Sequence, residues 1–470
     1  MTIQQYSEHG ELRDPEKAQL ENCGPEGRPE DESKCHNRPN AEASGDDDAQ
    51  DGGLASSTAL SSTHSIDSPP DGGLMAWSMC ICAHVLMANT WGVMNSFGIF
   101  QAYYTDYFEI SASKISWIGS VQSFLGFFLS IVSGRMSDAG HFRPTLVIGT
   151  ALMLLGAFAM SFSTQYWQLM LSQGVAFGLG VGFLCCPMMS VASTYFSKRR
   201  SLAVGIITSG NVTGGLIYPA MARQLLPSVG FPWASRAIAL MQTVTMVIVL
   251  VVAKPRVKPY KTGPMVDLST LKELEFSWYA LGGFFAYSGT FTALYYMPQF
   301  SRDGINPEFS YQDSLNILLV FNGLSVFGRI IPARLADTFG PVNLVIITTF
   351  AGGICCLGWI GVHSPGGMYA WTAIYAVVGG ALLALFPAGV VSLTTDVRKA
   401  GMRLGIAFAF LAFSMLAGPP VAGAIIESAG GRYAGAQVFA GMSLVLGSLL
   451  MFGAKVARRR ETGEGWTDKI

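Results

Sequence analysis

Gly134-Arg135-Met136-Ser137-Asp138 returns about two hundred residues later as Ala333-Arg334-Leu335-Ala336-Asp337. Pro187 returns as Pro387, and Gly205 and Pro219 return as Gly405 and Pro419, so the offsets are 199, 200, 200 and 200. The two halves therefore run in register and in the same chain order, with charged and helix-bending residues at matching places. Internal repetition of this kind governs the whole architecture.

Each copy is about six apolar stretches long. Half of the residues are hydrophobic, 13% are charged and the mean hydropathy is +0.38, whereas a soluble domain carries roughly a quarter of its residues as charges. The apolar stretches fall at about 77–101, 115–133, 144–163, 169–195, 203–225, 236–253, 278–300, 313–332, 343–362, 370–394, 404–427 and 436–455. Each is near the ~20 residues that a helix needs to cross the hydrocarbon. The runs are continuous and do not alternate, which excludes a β-barrel, and unpaired backbone groups in lipid exclude open strands. An all-α integral membrane protein of twelve transmembrane helices in two six-helix bundles is expected. A parallel six-plus-six repeat is the architecture of a two-bundle secondary transporter whose halves rock about a central site.

Positive charge predicts the orientation. Outside the N-terminal tail there are 25 Lys and Arg, of which 19 lie in alternate connections, among them Arg135, Arg143, Lys198 to Arg200, Lys254, Lys258, Lys261, Arg334, Arg398 and Lys469. The opposite connections hold four: Lys114, Arg236, Arg302 and Arg432. The basic side is expected to be cytoplasmic, with both termini inside. Residues 1–74 carry 16 acidic against 5 basic residues, and the remainder of the chain carries 15 against 25. The near-neutral total hides an acidic tail and a basic membrane part. With so few large apolar residues the tail cannot repay the entropy of ordering and is expected to be disordered. The predicted organisation is a disordered acidic cytoplasmic tail 1–74, an N-terminal bundle 75–254, a cytoplasmic linker 255–277, a C-terminal bundle 278–456 and a basic tail 457–470. Cys80, Cys82, Cys185, Cys186, Cys355 and Cys356 lie in spans and Cys23 and Cys35 in a reducing tail, so no disulfide is expected. Cys35-His36 is too sparse for a metal site.

The Gly-x-x-x-Asp loop after the second span, Gly134 to Asp138 with Gly140 and Arg143, resembles the signature of the major facilitator superfamily. The resemblance implies a latch between the bundles on the cytoplasmic face, made here by Arg135, Asp138 and Arg143 with their repeats Arg334 and Asp337. A more selective resemblance starts at Pro70-Asp71-Gly72-Gly73-Leu74-Met75-Ala76-Trp77 and continues in Tyr195-Phe196-Ser197-Lys198-Arg199-Arg200-Ser201-Leu202-Ala203-Val204-Gly205. Together they are similar to the monocarboxylate porter family of that superfamily, over about residues 70–456. Many animal members carry a lysine where this chain has Asn95, and an aspartate four residues before an arginine in span 8. Here the arginine is Arg329 and Ser325 stands in the aspartate's place. The resemblance therefore points to fungal-type members that handle varied organic compounds, and away from lactate-type proton exchange.

Arg329 is the one basic residue well inside a span. An ionisable group there is expensive unless it faces a wet cavity or a partner. It is expected to attract a carboxylate or other electron-rich substrate group, or else to snorkel towards the basic surface near Arg334. Uncharged candidates for the same cavity are Asn95, Gln122, Gln173, Asn211, Tyr218, Tyr287, Asn322 and Tyr375, with His84 as the candidate for carrying a proton. Amides and phenols orient a bulky solute by hydrogen bonds, and each is equally suited to joining helices. Pro187, Pro219, Pro387 and Pro419 are expected to bend their spans.

No Gly-Lys-Ser or Gly-Lys-Thr phosphate loop is present, which argues against ATP-driven pumping. Glycines four apart, such as Gly174, Gly178 and Gly182, are expected to pack helices. No cofactor, metal or nucleic acid is expected, and the spans hold no nucleophile with a base that would make an enzyme. The partners are the lipid bilayer and a small organic substrate, and the carrier should function as a monomer. The expectation is a plasma-membrane carrier exporting a secondary metabolite, the alternatives being uptake of a monocarboxylate or vitamin and, in a different class, a non-transporting nutrient sensor.

Overall fold

The duplication reappears first in the turns. In a computed structural model, Gly140 and Gly340 adopt φ of 94° and 87°, and Gly230 and Gly430 adopt φ of 73° and 66°. Each pair is offset by 200 residues and sits between helices, where a left-handed residue reverses the chain and a Cβ would be strained. The structure describes residues 70–256 and 268–463, apart from 96, 98, 99, 101, 102, 105–107 and 111. Most of the expected acidic tail, the centre of the linker and the last residues of the basic tail, with Cys23, Cys35, Lys258, Lys261 and Lys469, lie outside the described residues.

The described residues contain helices and no strand. The first helix, α1, runs over Gly73–Asn95 with a π-turn at Ala88–Gly92. Then come α2 (Ala112–Phe128, carried on by Ser130–Met136), α3 (Phe142–Met160) and α4 (Tyr166–Ser193). A single tract, Arg200–Val252, reverses at Gly230 and supplies α5 (200–229) and α6 (231–252). The second half holds α7 (Leu274–Asp303), α8 (Tyr311–Phe339), α9 (Pro341–Gly358), α10 (Pro365–Ser392), α11 (Ala400–Ser428) and α12 (Ala434–Thr462).

By length and composition nine stretches among the described residues are long and apolar enough to cross a membrane, and two of these have 44 and 53 residues. At 1.5 Å per residue these two are about twice the ~30 Å hydrocarbon thickness, so each makes two crossings. Helix α7 is less apolar than its neighbours because small and polar residues such as Tyr287, Ser288, Gly289, Thr290 and Thr292 fill its interior, while its charges Glu275, Arg302 and Asp303 stay at its ends, and it is as long as they are. Twelve crossings result among the described residues. Their surface carries exposed aliphatic side chains such as Leu155, Val251, Ile347 and Ile374. Exposed Trp117, Trp167 and Trp233 lie at the end opposite the basic loops, where indole rings sit well at a membrane interface.

The prolines do not break their spans: Pro187, Pro219, Pro387 and Pro419 lie inside continuous helices. π-turns lie at Ala88–Gly92 in α1, at Ser137–His141 between α2 and α3 and at Met170–Phe177 in α4. The first follows from a side chain that competes for the backbone. Asn89 donates to Val85 O at 2.8 Å, while its own carbonyl takes Gln242 Nε2 at 2.9 Å. In the second half an aromatic column runs from Trp359 through Trp371 to Tyr375, with ring centroids 4.6 and 5.0 Å apart and planes within 19° and 10° of parallel. Phe321 of α8 closes its end at 5.9 Å from Tyr375.

Candidate functional site

At the basic end each half grips a helix of the other. Asp138, in the turn after α2, accepts hydrogen bonds from Gly401 N at 3.1 Å and Met402 N at 2.7 Å in the first turn of α11. Asp337, at the end of α8, accepts from Ser201 N at 2.8 Å and Leu202 N at 3.2 Å in the first turn of α5. The amides so held differ by 200 in number, so the two latches are copies. A carboxylate on first-turn N–H groups satisfies otherwise orphaned donors and complements the helix dipole. Arg135 is buried next to Asp138 and Arg334 stands exposed beside Asp337. Arg143 lies exposed at the start of α3, outside these four bonds.

Glycines let the backbones close on one another beneath the latches. A Cβ on Gly134 would overlap Gly401 O, and one on Gly405 would overlap Ser130 O. In the symmetric crossing a Cβ on Gly205 would lie 2.5 Å from Ala333 Cβ and 2.7 Å from Arg329 O. Helices α2 with α11, and α5 with α8, therefore meet at backbone distance, and the basic end is shut.

Other contacts at this end are not evident from residue spacing. Asp71 accepts from Ser197 N at 2.5 Å and Lys198 N at 2.7 Å, and its own N–H reaches Tyr195 O at 3.2 Å. Trp77 packs edge-on against Phe196 at 5.2 Å. The stretch 70–77 and the stretch 195–205 are thus one structure, which only their shared presence in a family-like pattern could have suggested. Arg403 forms an ion pair with Glu273 at 2.7 Å, without hydrogen-bond alignment, and lies over the Phe276 ring. Arg458 meets Glu275 at 3.5 Å. Asp396, beside the start of α11, is held below the usual carboxylate range by its hydrogen bond from Arg398.

Nearer the middle of the spans the structure brings together three of the expected amides. Asn95 of α1 donates to Asn211 Oδ1 of α5. Gly215, one turn further along α5, leaves open the space between them and α8. A Cβ there would lie 3.7 Å from Asn95 Cβ and Nδ2 and 4.0 Å from Asn322 Cγ. Asn95 is exposed although it lies within a span, and Asn211 and Asn322 are half-buried.

Arg329 is placed where snorkelling is impossible. It is 2% exposed, and its Nη1 donates across to Thr208 O of α5 while Nε has no hydrogen-bond partner. Tyr287 of α7 is its electrostatic neighbour and packs edge-on against Phe386 at 5.4 Å.

The remaining candidates join helices. His84 Nδ1 lies 2.7 Å from Ile206 O and Nε2 lies 3.1 Å from Thr213 Oγ1, so both ring nitrogens are engaged by α5. Gln173 accepts from Tyr104 at 2.9 Å, and Gln122 is buried against Gly178. Tyr375 belongs to the aromatic column, its hydroxyl 3.5 Å from Thr290 O. Tyr218, 1% exposed, donates to Asn89 Oδ1 at 2.7 Å, beside the bond from Thr245 at 3.0 Å. Tyr218→Phe should therefore lower thermal stability by about 1 kcal/mol, the net worth of one buried hydrogen bond, and leave transport unchanged. A selective fall in flux with unchanged stability would return Tyr218 to the cleft.

Twelve crossings, a two-fold repeat in sequence and in turn geometry, and reciprocal latches at one end define a two-bundle carrier. The Major Facilitator Superfamily profile matches residues 80–397, and the chain belongs to that superfamily; it is a multi-pass membrane transporter. An "MFS-type transporter" of Gibberella zeae is 49% identical over 83% of this chain and 89% of its own length. The "Aspyridones efflux protein apdF" of Emericella nidulans is 29% identical over 84% of this chain and 81% of its own. Among solved structures, the human organic anion transporter MFSD10 superposes with a TM-score of 0.66 at 16% identity, covering 82% of this chain and all of that one. The E. coli fucose:proton symporter FucP superposes with a TM-score of 0.63 at 15% identity, covering 81% and 98%. These two share the fold.

Proposed function

We propose that this transporter exports a small organic acid, of the secondary-metabolite kind, by alternating access, and that it belongs among the fungal-type monocarboxylate porters. The bundles 75–254 and 278–456 are the moving bodies, the basic end faces the cytoplasm, both termini lie on that side, and the site of action is the plasma membrane, where a monomer suffices. The observation that carries this reading is Arg329. It is a guanidinium buried mid-chain between α5 and α8, held by a backbone carbonyl, with Nε unsatisfied. A cation retained at such cost is a functional group by default. The three amides around Gly215 supply neutral hydrogen bonds to the same substrate, and Tyr287 supplies an aromatic face. Export is supported by the similarity to a relative whose name describes efflux.

The test is flux of aromatic carboxylates in proteoliposomes. Arg329→Gln keeps hydrogen-bonding capacity and removes the charge. Loss of a charge-assisted hydrogen bond costs about 1.5–3 kcal/mol, so flux at low substrate should fall by roughly ten-fold or more. Undiminished flux in a folded Arg329→Gln protein removes the binding role.

A further inference from the structure

Arg329 and the amides stand at different depths on both helices that carry them. Asn322 precedes Arg329 by seven residues on α8, and Gly215 follows Thr208 by seven on α5. The helices run antiparallel, since Gly205 faces Ala333, Thr208 meets Arg329 and Gly215 faces Asn322. Two turns of helix separate the levels by about 10 Å. The upper level is open in this conformation, for Asn95 is exposed. The lower level is closed: Arg329 is 2% exposed and its Nη1 is taken by the opposite half.

We infer that the carrier has a one-sided anion site: the Arg329 guanidinium meets substrate only when the basic end is open, and the amides Asn95, Asn211 and Asn322 meet it when that end is shut. This rests on the transport reading above and deepens it. The bond from Arg329 to Thr208 O crosses between the halves immediately beside the Gly205 crossing, so separating α5 from α8 breaks it. The guanidinium then loses its carbonyl partner and faces the opening, where an organic anion replaces the carbonyl. On closure the carbonyl returns, and the anionic group gives up its charged partner. What remains in contact is an amide cluster that binds carbonyl and hydroxyl groups without demanding charge.

The ligand that suits both levels in turn is an organic acid that also carries carbonyl or hydroxyl groups for the amides. Intrinsic affinity for the anion is higher on the basic side. The empty carrier offsets this by its preference for the shut state, to which Asp138, Asp337 and the Arg329–Thr208 bond contribute, because coupling between ligand and conformation is reciprocal.

Labelling from each side tests the inference without knowledge of the substrate. In a full-length chain with all eight cysteines replaced, single variants Arg329→Cys, Thr208→Cys and Asn95→Cys are reconstituted and exposed to a membrane-impermeant anionic methanethiosulfonate. The reagent is added to one face at a time. Asn95→Cys should react from the face opposite the basic loops. Arg329→Cys should react from the basic face alone, about ten-fold or more faster when Asp138→Ala and Asp337→Ala remove both caps. Thr208→Cys provides the same readout should the arginine variant fail to fold. Reaction of either lower-level cysteine from the opposite face, at a rate similar to Asn95→Cys, overturns the one-sided site and leaves the transport reading intact. Failure of Asn95→Cys to react from either face overturns the cleft itself, and with it the transport reading.

Discussion

Alanine at Gly405 should abolish most transport, lowering flux by at least about ten-fold, while the protein remains folded. The added methyl overlaps the Ser130 carbonyl and would lie 3.0 Å from Ile131 Cα. These are backbone atoms of a helix in the other half, and no side chain can rotate to relieve the overlap. The helices α2 and α11 must move apart, which forfeits the Gly134–Gly401 crossing and the Asp138 latch together. Overpacking at such a contact costs about 1–3 kcal/mol, and here the cost falls on the shut state alone because the interior of each half is untouched. The repeat supplies a control. Gly205→Ala meets Ala333 Cβ and Arg329 O and should have the same effect through α5 and α8. Normal flux in a well-expressed Gly405→Ala carrier would falsify the assignment of this crossing to the gate.

Removing both latches with Asp138→Ala and Asp337→Ala should open the basic end. Each carboxylate caps two backbone amides of the opposite half, and loss of such a cap costs about 0.5–2 kcal/mol. Both losses fall only on the shut state, so the equilibrium between shut and open should move by roughly ten-fold to several hundred-fold. Cys186 reports on it directly, since its thiol lies 3.3 Å from Gly401 O beneath the crossing and is fully buried. Maleimide should modify Cys186 at least ten-fold or so faster in the double variant. Cys356, buried at Tyr375 inside the second half, serves as the thiol whose rate should not change. Equal Cys186 rates in the wild type and the double variant would show that the latches do not hold the gate. Asn at either position keeps one acceptor oxygen and should give an intermediate rate.

The crossings and the repeat were legible in the sequence because they depend on hydrophobic length and on fixed offsets, whereas the latch came from resemblance to a family signature, and of its five expected residues Asp138 and Asp337 make the bonds. The pairing of Asp138 with α11 and of Asp337 with α5 was not legible, since offsets reveal equivalence between halves and say nothing of which half a loop touches. The polar residues were legible as a set and ambiguous one by one. Asn95 and Tyr218 have the same kind of in-span sequence context, yet one opens onto a cleft and the other is consumed by the Asn89 network. What decides is the neighbouring helix, and helical periodicity does not name it. The π-turn in α1 was hidden for a related reason, since the competition for its backbone groups comes from Asn89, at a site with no proline.

The stacked rings of Trp359, Trp371 and Tyr375 have a mechanical consequence. Stacked rings hold a large apolar area between α9 and α10, and Trp371 Nε1 donates to Cys355 O at 2.8 Å, so parting these two helices costs contact as well as a hydrogen bond. At the glycine-lined seams between α5 and α8 and between α2 and α11 the backbones meet with few side chains to disengage, so parting the halves there leaves the aromatic pairing intact.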